Sequence, residues 1–377
     1  MKNTVLYFYA IFLVLFTIFS YAFVDPNLIY MKNIYSGFAF ENRSIVAILY
    51  ILFVSSFFVF YGFFIWLGIK KQLKLKDIFV LVSITIASLV FSYPAMLSYD
   101  IFNYITTSKV LFFYHENPYI IMPIEFVGEP FLSFTHAANK IALYAPFWIT
   151  LTGIPYVLGL GNFIVTLFSF KIFITLFYIV TTILVWKISK NIISVILFSL
   201  NPLIVIETLI SGHNDIVMIF FVLLSFFILM KKKVGWAVVF FILSMLIKYT
   251  TLLLIPVFFF VIWKILRKRE ISWNNIFYFS ALLMCAGFFL SPLREEIYPW
   301  YEIWFLSFAF LVPNRKILLS TSLVLSFTLL LRYIPFMSLG THTGITPVIK
   351  SVVTFVPISL ILFYFAANKL WRKIYYR

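Results

Sequence analysis

The amino-acid sequence predicts an all-α polytopic membrane protein, a single domain over residues 1–377 with about 12 transmembrane helices. Three observations carry that expectation: a composition too apolar for a water-soluble domain, a succession of helix-length apolar runs, and basic and acidic residues sorted to opposite ends of those runs. Hydrophobic residues make up 63% of the chain and charged residues only 11%, against about 25% charged in soluble domains. Twenty-nine Lys and Arg against 13 Asp and Glu give a formal charge of +16. On a polar domain that excess would suggest nucleic acid. Here the basic residues fall in short clusters between apolar runs, so the expected partner is the lipid bilayer and not nucleic acid. Cys285 is the sole cysteine and lies in an apolar run, which excludes a disulfide framework and a cysteine-based metal site.

An apolar run of about 20 residues crosses the hydrocarbon as a helix, because a helix satisfies its own backbone groups. Candidate runs lie at 4–24, 44–68, 78–97, 163–186, 191–206, 216–230, 235–247, 250–263, 274–292, 301–313, 317–334 and 346–366. The first follows Lys2 directly and shows no small-residue cleavage site before Asp25-Pro26, so it is expected to be a retained signal anchor. With both termini in the cytoplasm, 20 of the 29 basic residues fall inside, among them Lys70, Lys71, Lys187, Lys190, Lys231, Lys232, Lys233 and Lys264. Of the 13 acids only Asp77 and Glu270 fall there.

Two stretches need separate treatment. Residues 144–158 are apolar, but a span there would carry Lys187 and Lys190 to the outside. A re-entrant or surface-lying segment, broken by Pro146, Gly153 and Pro155, is expected instead. Residues 234–263 lie between two basic clusters, which predicts two short helices turning near Lys248.

The longest polar stretch, residues 98–143, is the expected main extracytoplasmic loop, carrying short surface helices, whereas no cytoplasmic loop exceeds about a dozen residues. Neither a GxxxxGK[ST] loop nor a GxGxxG turn is present, so ATP and dinucleotide chemistry have no support and no cofactor is expected. Ionisable groups near membrane depth are costly and mark sites or pathways, which directs attention to the outer acids and cations. Asp100 can cap a helix running to about residue 113, act as a general base, or do both. Asn117-Pro118-Tyr119 taken alone is a turn. Glu207 and Ser211-Gly212-His213-Asn214-Asp215 put more charge between two apolar helices than a connector needs, although Asn214 or Asp215 would also start the next helix. His213 and Asp215 could ligate a divalent ion, but two ligands do not make a site, and no metal is assigned. Lys248 and Arg294 either snorkel and pair with nearby acids or grip a lipid-borne phosphate. Trp300 and Tyr301 also suit a membrane-interface belt.

The order of these motifs resembles a known family. Asp100-x-x-x-Tyr104, Asn117-Pro118-Tyr119, Tyr144-Ala145-Pro146-Phe147-Trp148, Asn201-Pro202-Leu203, Gly212-His213-Asn214-Asp215, Ile247-Lys248-Tyr249-Thr250 and Pro299-Trp300-Tyr301 are similar to the polyprenyl-phosphate-mannose-dependent mannosyltransferases of the GT-C superfamily, and within them to the bacterial α-1,6-mannosyltransferases that extend cell-envelope glycans. The ordered series covers roughly residues 98–305. The resemblance implies a GT-C-type helical bundle in a bacterial plasma membrane, an extracytoplasmic active site, a sugar donor on a polyprenyl phosphate, a glycan or glycolipid acceptor, and inversion at the anomeric carbon. It assigns Asp100 as the base.

An outward-facing transferase without nucleotide motifs is most economically supplied by a lipid-linked sugar, so the residue chemistry points the same way. On this reading Asp100 takes the acceptor proton, and Lys248 and Arg294 bind the donor phosphate. Tyr104, Asn117, Tyr119, His213, Asn214, Asp215, Trp300 and Tyr301 contact substrate, and the hairpin 235–263 contributes to a groove for the polyprenyl chain. Asp100 is therefore expected to share an outer pocket with Lys248 and Arg294. A transporter or lipid flippase, or a polymerase or ligase using a diphosphate-linked donor, is the alternative.

Overall fold

The computed structural model describes residues 3–31, 37–293 and 296–375. Among these no strand forms, as apolar segments that must satisfy their own backbone groups require. The helices are α1 (Asn3–Ser20), α2 (Phe38–Glu41), α3 (Arg43–Ile69), α4 (Leu75–Leu89), α5 (Asp100–Phe112), α6 (Pro146–Leu158), α7 (Phe163–Ser189), α8 (Ile192–Ser199), α9 (Pro202–Val205), α10 (Asp215–Met230), α11 (Val234–Met245), α12 (Ile255–Leu266), α13 (Trp273–Leu290), α14 (Ile303–Ala309), α15 (Lys316–Leu331), α16 (Ile334–Leu339) and α17 (Thr346–Tyr375).

Seven helical stretches are long and apolar enough to cross a membrane. They become eight if α8 and Pro202–Ile210, bent by 50° at their junction, form one broken span. The chain is thus a multi-pass membrane protein, but the expected 12 spans are too many. Helices α6, α10 and α11 have 13, 16 and 12 residues. At about 1.5 Å per residue they reach only ~18–24 Å, short of a ~30 Å hydrocarbon core. Residues 144–158 indeed make no long span: Pro146 opens α6, where its missing N–H costs nothing, and the helix stops at Gly159. The two-helix expectation for 234–263 also holds, with α11 ending at Met245 and a 3-10 turn, Tyr249–Leu254, leading into α12.

Helix α5 departs from expectation. It was expected to lie on the surface, yet Ile101 to Ser108 are all buried. Asp100 is its first residue and does not cap it; Tyr99 holds the N-cap position without a side-chain bond.

Breaks in the helices are where the polar groups go. Asn201 accepts from the N–H groups of Leu203 (3.0 Å) and Ile204 (3.2 Å), ending α8 and restarting the chain as α9. A single π-turn, Ile206–Ile210, then rotates Glu207 inward. Gly212 takes φ +74°, and a Cβ there would meet Ile101 at 3.0 Å, so this turn needs glycine. Lys171 is buried on α7, and its Nζ donates to the Ser92 hydroxyl (2.8 Å) and to the Ser92 carbonyl just past the end of α4.

The two ends of the bundle differ in charge. One end collects Asp25, Arg43, Asp100, Glu207, Asp215, Glu296, Arg332 and Lys350. The other collects Lys70, Lys187, Lys231 and Lys264. At that basic end Lys71, Lys190, Lys232 and Lys268 all adopt left-handed backbone, with φ between +51° and +59°. Lysine there loses the conformational ease of glycine but sets a cation beside the orphaned carbonyls of α3, α7, α10 and α12.

Candidate active site

Asp100 stands at the N-terminus of α5, where helix N–H groups favour a carboxylate. Its side chain is 29% exposed. Behind it lies a buried charge chain. Asp100 Oδ2 is 3.4 Å from His213 Nδ1, His213 Nε2 is 3.3 Å from Glu207 Oε2, and Tyr333 donates to Glu207 Oε1 at 2.8 Å. His213 and Glu207 are fully buried. Burial alone would strip the proton from His213, but the carboxylates on either side push its pKa up to about 9. The imidazole stacks on Trp300 at 4.0 Å, and Trp300 stacks on Tyr298 at 4.6 Å.

A second pair sits beside the first. The N–H of Asn214 donates to the Tyr104 hydroxyl at 3.3 Å, and Tyr104 packs edge-on against Tyr144 and Trp148. Asp215 is buried and accepts from Lys248 (2.8 Å) and from the Trp304 indole. Lys248 lies over the rings of Tyr301 (4.4 Å) and Trp304 (5.2 Å).

Asp100 opens into a cavity of about 540 Å³, within the range of small-molecule sites. Its other polar lining includes Asn103, His136, Tyr298, Trp300, Tyr333 and His342, together with Arg43, Arg332, Lys350 and Glu296. Arg332 and Lys350 both bind Glu296 Oε1, each at 2.9 Å. Burial would raise Glu296, but the two cations hold its carboxyl below the usual range. The apolar part of the lining includes Phe40, Val46, Phe336 and Met337, where α16 packs against α3.

A profile of the family described as alpha-(1->6)-mannopyranosyltransferase, N-terminal domain, matches residues 5–265. The chain belongs to this mannosyltransferase family. No curated protein and no solved structure matches it at a significant level. The stretch matched by the mannosyltransferase profile contains Asp100, Tyr104, Glu207, His213, Asp215 and Lys248. The wall formed by Glu296, Trp300, Arg332 and Lys350 follows it in the chain.

Set against that family's expected site, the structure redistributes several roles. Lys248 does not line the cavity with Asp100, because Asp215 and two aromatic rings engage it. Arg294 lies outside the described residues. His213, Asn214 and Asp215 are buried and do not line the cavity; the side chains of His213 and Asp215 and the backbone N–H of Asn214 engage neighbouring groups. His213 and Asp215 turn toward different partners, so they do not converge on a shared ion, and among the described residues no three His, Cys, Asp or Glu side chains gather as metal ligands. Asn117 accepts from the Tyr119 N–H (3.0 Å), and the Tyr119 hydroxyl donates to the Tyr144 carbonyl (2.7 Å). That motif therefore pins the loop to the wall behind Tyr104. Trp300 lines the cavity, whereas Tyr301 packs on Lys248. The hairpin 235–263 does not contribute to the cavity lining; α2, α3 and α16 supply part of the apolar wall.

Sequence reasoning missed Arg43, Arg332 and Lys350. Their signal was present: they are among the nine basic residues that the charge bias leaves on the acid-rich side.

Proposed function

We propose that this membrane mannosyltransferase moves mannose from a polyprenyl monophosphate to an envelope glycan or glycolipid acceptor, with inversion, on the extracytoplasmic face of a bacterial plasma membrane. One observation carries the reading. Of the two carboxylates lining the cavity, Glu296 is held by two cations, whereas Asp100 has no Lys or Arg partner among the described residues and faces the space where substrates would meet.

Asp100 accepts the proton of the acceptor hydroxyl as that oxygen bonds to the anomeric carbon. The bond from that carbon to the phosphate oxygen breaks, and its electron pair leaves with the polyprenyl phosphate. No protein nucleophile is needed. His213, 3.4 Å behind, holds the Asp100 carboxylate in place. Trp300 and Tyr298 offer the sugar an aromatic wall. Negative charge building on the departing phosphate is stabilised by the cations that line the cavity. Lys248, engaged by Asp215, steadies the neighbouring wall.

The test is transfer of labelled mannose from polyprenyl-monophosphate mannose to an acceptor by purified protein. Asp100→Asn should lower turnover by about 10² to 10⁴-fold with the fold intact. A folded Asp100→Asn enzyme near full turnover removes the base assignment. Movement of the lipid across vesicles without bond formation, or transfer from a diphosphate-linked donor alone, removes the donor assignment.

A further inference from the structure

Two cations of the last helices converge on one carboxylate oxygen inside the cavity that Asp100 faces. Arg332 and Lys350 are both buried, and each reaches Glu296 Oε1 at 2.9 Å. Arg332 is fixed on its other edges: Nε donates to the Ile297 carbonyl (3.1 Å) and Nη1 to the Thr354 hydroxyl (3.2 Å). The guanidinium is therefore pre-aimed, and Nη2 is the edge it presents to the anion. Among the described residues no other acid pairs with either cation. Two buried positive charges against one carboxylate leave an excess of one, and Arg43 adds another at the same cavity. Burying such an excess is costly unless a further anion arrives to match it.

The shape of the site says what carries that anion. From the cations the lining turns apolar through Met337, Phe336, Val46 and Phe40, along the contact of α16 with α3. Phe40 and Phe336 are themselves partly exposed, so the apolar wall continues to the outer surface of the bundle. A charged end and an apolar exit suit an amphiphile with a phosphate head and a hydrocarbon tail.

We propose that Arg332 and Lys350 form the binding site for the phosphate of a lipid-linked substrate, with its tail leaving between α3 and α16, and that Glu296 is a built-in occupant which the phosphate displaces. The two cations, the shared oxygen and the apolar exit stand by themselves; only the identification of the phosphate as that of the sugar donor rests on the transfer reading. Glu296 is the shared partner of both cations in this structure. Its function is to satisfy the cations between turnovers.

The test is binding of a long-chain polyprenyl monophosphate to the full-length protein in detergent micelles, with inorganic phosphate and the uncharged polyprenol as separate arms. Lys350→Gln should weaken binding of the polyprenyl monophosphate by about tenfold or more, and Glu296→Gln, which removes the competitor, should tighten it by about tenfold. Were Glu296 only a structural brace for the cations, its loss would weaken binding, and that result overturns the displacement. Polyprenol binding as tightly as its phosphate overturns the anion site, and inorganic phosphate binding as tightly as the lipid overturns the exit between α3 and α16. Unfolding temperatures without ligand identify a variant that has lost its fold; if Lys350→Gln is such a variant, the sign of the Glu296→Gln change decides. Binding that follows these rules in a protein unable to transfer sugar from the same lipid would leave this site standing and remove the transfer reading. Transfer with a donor KM indifferent to both substitutions would do the reverse.

Discussion

An imidazole buried between two carboxylates binds its proton more tightly than one in water, and His213 is such a group. Its pKa rises from 6.5 in the unfolded chain to about 9 in the fold. Protonation thus favours the folded state, fully below about pH 6.5, and the contribution fades as pH climbs to about 9. The unfolding temperature in detergent should therefore fall more steeply across that window for the natural protein than for His213→Gln. Parallel curves would show that His213 is neutral in the fold. The motif carrying this residue was legible in the sequence, because an acid-rich turn between two apolar helices is unusual. Its role was not. Whether His213 touches sugar or backs Asp100 depends on burial, and burial is decided by Trp300, 87 positions away in the chain, stacking over the ring.

Single residues inside the apolar runs also decide how elements end. Just beyond α4 the carbonyl of Ser92 is met by the buried Nζ of Lys171 on α7. Replacing Lys171 by Met keeps the side-chain length and leaves that carbonyl and the Ser92 hydroxyl without this donor. We expect a loss of about 1–3 kcal/mol of stability, read as a lower unfolding temperature, with activity per folded molecule changed far less. No loss would mean that other donors reach the carbonyl. Helix existence was legible throughout, since apolar runs of sufficient length have no other way to pair their backbone. Span number was not. Windows of apolar residues count α10 and α11 as crossings, but at 16 and 12 residues they are short hairpin arms, and the break at Asn201 bends a further run by 50°. Hydropathy measures what a segment avoids, not where its axis turns.

Across the whole molecule, the charge bias of the sequence left its exceptions unexplained. Arg332 and Lys350 sit within runs whose local pattern says only that they cross the membrane. Their meaning comes from Glu296, separated from them by 36 and 54 positions. Such contacts have no local signature, and so the expected cations, Lys248 and Arg294, were sought beside motifs instead. The lining of the cavity is consequently bipartite. Asp100 comes from α5, within the stretch matched by the family profile, and Glu296, Arg332 and Lys350 come from residues after α13. The exposed turn Arg267 to Glu270 lies between the two contributions. A chain cut there should give two fragments, 1–270 and 271–377, that are each inert when made alone and regain sugar transfer when made together in one membrane. Transfer by the first fragment alone would mean that the base half is self-sufficient. Complementation would mean that the two pieces, docking along α3, assemble the chamber at their seam.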